Sequence, residues 1–354
     1  MALKPQISHV HPQVGIPGGE VIVTCQDFDT SNFTQCQAFI GSTRARIISA
    51  STTRVVIGIP EISADDDLSA GIRLKANHQE SNVAAFHVGA LLASDLHPVA
   101  NPAFDPDSGN IYTTLSGARG KKVEVSVWKI SSSGKVSKFL SDIINPTGLA
   151  FDQEGTLYIS SRYDGNVYRV SPFSESEAFV RDLGVATGII FNRKGELFVG
   201  DRQGIVYRID ELGKAHKFAM LEPSVAAYHL AFSPNGNLYV TGPTTGGSRE
   251  VISEITLEGE VKPFHIGLGR PQGLAFDTDG NLYVAASLDG LRGIFKIPAA
   301  GGSPERVLAG NNLVGLAFDD QGNALLTTTG EVYRAPLGVK GYMPWLDESD
   351  SMTR

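Results

Sequence analysis

The chain has 354 residues, 42% of them hydrophobic, and a formal net charge of −8, enough length for roughly two domains and a sizeable core. Its pI near 5.5 repels a phosphate backbone overall and excludes nucleic acid as a first-choice partner. No run approaches the roughly 18 apolar residues of a membrane span, and Met1-Ala-Leu-Lys-Pro-Gln lacks the apolar core of a secretory signal, so the expectation is a cytoplasmic protein without a membrane partner.

Residues 1–90 read as one unit. Glu20 to Cys25 alternates like a half-buried strand, and Ala38-Phe-Ile-Gly-Ser, Ala45-Arg-Ile-Ile, Arg54-Val-Val-Ile-Gly-Ile-Pro60, Ala70-Gly-Ile-Arg-Leu-Lys-Ala and Asn82-Val-Ala-Ala-Phe-His-Val88 follow as further short strands between polar turns. About seven such strands suggest a β-sandwich. Cys25 and Cys36 are too few and badly spaced for a zinc site or a disulfide framework; they read as buried thiols, with a bridge between them as the alternative. The spacing of Pro12, Gly15, Gly18, Gly19, Gly41, Pro60, Asn82 and Phe86 resembles an IPT/TIG domain, with Cys25 in place of a usual glycine. That resemblance implies an immunoglobulin-like module acting as a spacer or a binding unit.

Residues 91–337 are dominated by a repeat. The stretch Arg270-Pro-Gln-Gly-Leu-Ala-Phe-Asp-Thr-Asp-Gly-Asn-Leu-Tyr-Val-Ala places an Asp/Gly/Asn turn between two apolar runs, the pattern of a tight hairpin. Its phenylalanine aligns with Phe104, Phe151, Phe191, Phe232, Phe276 and Phe318, at intervals of 40 to 47 residues. Third strands such as Val167-Tyr-Arg-Val and Val206-Tyr-Arg-Ile follow, and a fourth such as Lys135-Val-Ser-Lys-Phe139 comes after a glycine turn. Four strands at this period predict propeller blades, and six copies predict six blades around a channel. The fold class expected is therefore all-β, an Ig-like sandwich followed by a six-bladed propeller. The sixth copy lacks a convincing fourth strand, and Gly89-Ala-Leu-Leu-Ala-Ser-Asp-Leu is expected to supply it. Tyr342-Met-Pro-Trp-Leu346, in the tail of residues 338–354, is the competing donor.

The runs Pro-x-Gly-Leu-Ala-Phe-Asp, Gly-x-Leu-Tyr-Val and Val-Tyr-Arg-Ile resemble NHL-repeat proteins and, more loosely, the gluconolactonase/senescence-marker superfamily. The second resemblance implies a divalent-metal cage of Glu, Asn and Asp at the channel and hydrolysis of a lactone or ester. Four residues before each anchor phenylalanine this chain has Ala100, Thr147, Thr187, Tyr228, Gln272 and Val314, with no carboxylate. No cofactor is therefore expected, calcium or another divalent metal being the alternative.

Three residues before the anchors stand Asn101, Gly148, Gly188, His229, Gly273 and Gly315. The glycines read as structural. His229 beside Tyr228 is the candidate for acid/base work, because imidazole titrates near neutrality and a phenol donates a hydrogen bond; a satisfied core histidine is the plain alternative. Resemblance to propellers places the approach to each first strand and the loop after each second strand on one face. Candidate ligand-binding residues there are Asn101, Arg119, Thr147, Arg162, Thr187, Asp201, Arg202, Arg270 and Gln272, and mixed guanidinium and carboxylate groups suit a polar or anionic molecule. The longest of these loops, Thr114 to Val123 with basic Arg119, Lys121 and Lys122, and Gly242 to Glu250, are expected to flank the channel opening. Gly-x-Ser-x-Gly, His-Glu-x-x-His and phosphate-loop patterns are absent from the sequence. The reading is a recognition platform for a small polar ligand or a partner protein. Its rivals are a gluconolactonase-like hydrolase and a metal-independent lyase or hydrolase using His229.

Overall fold

The computed structural model describes residues 4–62, 68–69, 71–244 and 250–346. Apart from a single 3-10 turn at Phe33–Gln35, all regular elements among them are strands.

In the N-terminal region, strand Thr43–Ala50 pairs near its C-terminal end with Arg54–Gly58 and near its N-terminal end with Gln37–Ile40, joining seven strands into one continuous order. Alternation puts Val21, Val23 and Cys25 of Glu20–Gln26 on the buried side, where they share one core with Phe28, Ile57, Leu74 and Phe86. Cys25 and Cys36 are both free and buried, so they are thiols without a bridge.

The repeats form a propeller-like arrangement. Five sheets have four antiparallel strands each; the first runs Ala103–Asp105, Asn110–Thr114, Val127–Ile130, Val136–Leu140 in chain order. The fifth repeat contributes the same meander, Leu274–Phe276, Leu282–Leu288, Leu291–Ile297 and Glu305–Ala309, to a six-stranded sheet. There Val14–Gly15 and His87–Val88 from the N-terminal region add in parallel beyond Ala309. Ile16 is fully buried in the propeller's own core, and a Cβ at Gly15 or Gly19 would press on the Ala309 carbonyl. In the last sheet the outer strand is Ala90–Ala93, paired with Val332–Pro336. The upstream segment therefore closes the array, and Tyr342 to Leu346 does other work.

The recurrence of the motif has a packing reason. The aromatic residue of each second strand meets the anchor phenylalanine of the next repeat edge to face: Tyr112 with Phe151, Tyr158 with Phe191, Phe198 with Phe232, Tyr239 with Phe276 and Tyr283 with Phe318, at centroid separations of 4.8 to 5.6 Å. Such pairs add about 0.5–1.5 kcal/mol each beyond their buried area. At the closing seam Leu325 takes the aromatic's place in one core cluster with Phe104. The Asp/Asn turns are held by their own side chains: Asp277 Oδ1 accepts from Asn281 N at 2.8 Å while Gly280 takes a positive φ of 82°.

Candidate ligand-binding site

The innermost strands of successive repeats touch in chain order, and Leu313–Phe318 meets Ala103–Asp105. Their closeness explains the glycines three residues before the anchors. A Cβ at Gly148 would strike the Thr187 carbonyl of the next sheet, one at Gly188 the Tyr228 carbonyl, and one at Gly315 the Ala100 carbonyl. Two repeats depart from glycine, and their side chains meet. His229 Nδ1 lies 3.3 Å from Asn101 Oδ1. The same oxygen accepts from Leu316 N at 3.2 Å, and Asn101 Nδ2 donates to Leu274 O at 3.4 Å. The first, fourth, fifth and sixth repeats are thereby joined through one amide, and the space along the axis is divided in two.

The lower space is a cavity of about 100 Å³ lined by anchor phenylalanines and by Tyr342, Met343, Pro344 and Trp345. The tail reaches it through Val339 N to Gly322 O at 3.1 Å, Thr278 N to Lys340 O at 3.0 Å and Tyr342 N to Phe276 O at 2.8 Å. It thus floors this end of the channel.

The upper space is larger, about 560 Å³, within the size range of small-molecule sites. Arg162, Arg202, Arg270, Arg292 and His97 line it, and among the described residues its lining contains no carboxylate. In a chain of net charge −8 this is a local reversal of sign. The guanidinium groups are positioned by backbone carbonyls: Arg162 Nη2 donates to Gly117 O at 3.3 Å, Arg202 Nε to Ser224 O at 3.3 Å and Nη2 to Val225 O at 2.7 Å. Arg292 Nη1 donates to Asn311 Oδ1 at 2.7 Å. Burial, with the like charges of Arg202 and Arg119, pushes the pKa of Arg162 down. Its Nε is buried without a hydrogen-bond partner among the described residues, a desolvation penalty of about 1–3 kcal/mol. Arg270 holds a left-handed φ of 47° just before Pro271. Glu250, beside Arg270 but outside the lining, has its pKa raised by burial against the pull of that arginine.

Of the residues singled out from sequence, Thr147, Arg162, Thr187, Arg202, His229, Arg270 and Gln272 share this cavity. Thr187 Oγ1 is engaged by Gly200 O and Tyr228 N, whereas the Gln272 side-chain amide has no partner among the described residues. Asn101 and Tyr228 line the lower space. Tyr228 hydrogen-bonds the Glu222 carbonyl, and burial, then the charges of Asp201 and Glu222, push its phenol up to about 12; it is a wall residue without a proton to exchange near neutrality. Asp201 is 2% exposed, and its Oδ1 accepts from Val185 N at 2.9 Å and Gln203 N at 3.1 Å, so its carboxylate holds backbone instead of facing the opening. Arg119 is exposed and lies outside the lining, on a loop fastened by Asn145: Gly120 N donates to Asn145 Oδ1 at 2.7 Å and Asn145 Nδ2 to Gly117 O at 2.8 Å. The second long loop falls partly outside the described residues, at 245–249.

Sequence reasoning missed His97, Arg292 and Asn311. Arg162 and Arg202 directly follow their second strands, Leu157–Ser161 and Leu197–Asp201, but the fifth repeat's hairpin is longer, and Arg292, which lines the cavity, is on the returning strand and pairs with Ser287. Aligning by register instead of by distance from the anchor would have found it.

The divalent-metal cage that the gluconolactonase resemblance implies does not fit these residues. Its positions hold Ala100, Thr147, Thr187, Tyr228, Gln272 and Val314, and guanidinium groups above them would repel a dication. Among the described residues no group of three His, Cys, Asp or Glu side chains is placed to hold a metal. No helix among them is long and apolar enough to cross a membrane.

No protein-family model and no curated protein matches the sequence. Solved structures do. A gluconolactonase from Xanthomonas campestris is 19% identical with a TM-score of 0.57, over 70% of this chain and 88% of that one. Virginiamycin B lyase from Staphylococcus aureus is 13% identical with a TM-score of 0.54, over 70% and 97%. An auxiliary nutrient binding protein from Bacteroides thetaiotaomicron is 13% identical with a TM-score of 0.50, over 94% and 97%, a span that takes in the N-terminal region. At these identities the likeness is one of fold: the neighbours of this chain are gluconolactonase-like and lyase propellers.

Proposed function

We propose that this chain is a recognition protein that binds a small organic anion in the upper cavity, at the channel face of a six-bladed propeller. In this reading the six-stranded sheet is the fifth blade extended by two strands of an immunoglobulin-like spacer, residues 1–90. The observation that carries the function is the set of four arginines converging on about 560 Å³ without a carboxylate among the described lining residues. Paired guanidinium forks recognise carboxylates and phosphates by charge-assisted hydrogen bonds. Backbone carbonyls pre-orient two of them, which lowers the ordering cost of binding.

A second reading, a metal-independent lyase or hydrolase, is favoured by the fold neighbours and by His229 at the cavity floor. Burial lowers the His229 pKa to about 4, which makes it a weak base, so binding is the reading the geometry favours.

The test is calorimetric titration with citrate at low ionic strength, on the intact protein and on an Arg162→Ala/Arg202→Ala variant. Binding by the intact protein that weakens at least about tenfold in the variant, as expected for the loss of charge-assisted bonds, supports the reading. Absence of binding, or equal binding by the variant, refutes it.

A further inference from the structure

Asn101 fixes more than the position of His229. A backbone N–H can only donate, so the Asn101 oxygen is the atom facing Leu316 N, 3.2 Å away, and the amide orientation is settled. The second contact of that oxygen is His229 Nδ1, and two acceptors would repel; Nδ1 therefore carries the proton. In a neutral ring the remaining nitrogen, Nε2, is then an acceptor, and none of the described residues bonds to it. His229 is 3% exposed, and burial holds its ring neutral by lowering the pKa to about 4. His229 lines both cavities, while Asn101, on its Nδ1 edge, lines only the lower one. The opposite, Nε2, edge is thus presented to the arginine-lined space. An otherwise cationic site has a neutral, orientation-fixed nitrogen acceptor at its floor.

Resting on the anion-binding reading, we propose that His229 is the specificity-determining residue of the upper cavity, and that its ligand class is an organic anion carrying a hydroxyl group. The arginines take the anionic groups, and the hydroxyl donates to Nε2. An anion without that donor leaves the buried lone pair unsatisfied and is disfavoured, the asymmetry by which polar sites reject analogues lacking one hydrogen-bonding group.

The experiment uses citrate and tricarballylate, which differ by a single hydroxyl, titrated calorimetrically into the full-length protein and into His229→Phe. Phenylalanine keeps a ring in the gap and removes both nitrogens. Citrate binding at least about tenfold more tightly than tricarballylate in the intact protein, with the preference lost in the variant, is the expected result. Equal affinities in the intact protein overturn the role of His229 and leave the anion reading standing. Failure of both probes to bind overturns the anion reading and this inference with it. Should the variant not fold, two-bond proton–nitrogen correlation spectra of the intact protein decide the tautomer: a protonated Nδ1 and bare Nε2 are expected, and a protonated Nε2 near neutral pH refutes the proposal.

Discussion

Replacing Asn101 by alanine tests the central tie of the structure. The substitution removes the acceptor for His229 Nδ1 at 3.3 Å and for Leu316 N at 3.2 Å, and the donor to Leu274 O at 3.4 Å. These are long bonds, so each contributes near the lower end of the usual 0.5–1.5 kcal/mol. The larger cost is what remains: two donors and one acceptor without partners near the axis, at about 1 kcal/mol each for groups that entering water can partly satisfy. The expected loss is about 2–4 kcal/mol. Urea unfolding followed by the fluorescence of Trp128 and Trp345 reads the effect, and an unchanged m-value shows that the transition is still the same one. A loss below about 0.5 kcal/mol would mean that the amide is not a structural tie. The tautomer assigned to His229 would then lose its support as well.

The pH dependence has a definite sign. Burial depresses the folded pKa of His229 from 6.5 to about 4, so between those values the unfolded chain binds the proton that the folded one refuses. Stability therefore falls as pH drops through this window, by about 3 kcal/mol for this group, and the His229→Phe variant should show a shallower acid limb in unfolding experiments at pH 4–7; identical slopes would contradict the burial argument. The two chain ends should fail differently. Deleting residues 1–93 strips Ala90–Ala93 from Val332–Pro336 and bares a strand edge, so aggregation on size exclusion is expected, whereas deleting 338–354 should lower the melting temperature of a monodisperse protein by opening the lower cavity. The reverse pattern would refute the assignment of the closing strand.

The repeat was legible because each copy solves the same local problem. Turn residues such as Asp277 and Gly280 set the hairpin, and the aromatic that follows must reach the next anchor phenylalanine, so a period in the sequence becomes a seam in the structure. The closing role of Ala90–Ala93 was readable for a related reason: a circular array short of one strand must find it elsewhere in the chain. Glycines such as Gly188 were recognisable as structural, although the collision that forbids a side chain there involves the backbone of a neighbouring sheet.

What tertiary structure alone decided is where polar groups point and what they meet. Tyr228 and His229 are adjacent in sequence, yet one is engaged by the Glu222 carbonyl while the other reaches Asn101, 128 residues away. Arg119 and Arg162 look alike in a loop, but only Arg162 lines the cavity. Arg292 joins it through a strand register, and His97 through a segment with no repeat pattern. The tail, read as a possible outer strand, instead floors the channel because its aromatic side chains find the anchor phenylalanines. Local propensity sets the period and the turns; convergence of side chains from separate repeats on one axis depends on ring closure, a long-range property that no single repeat contains.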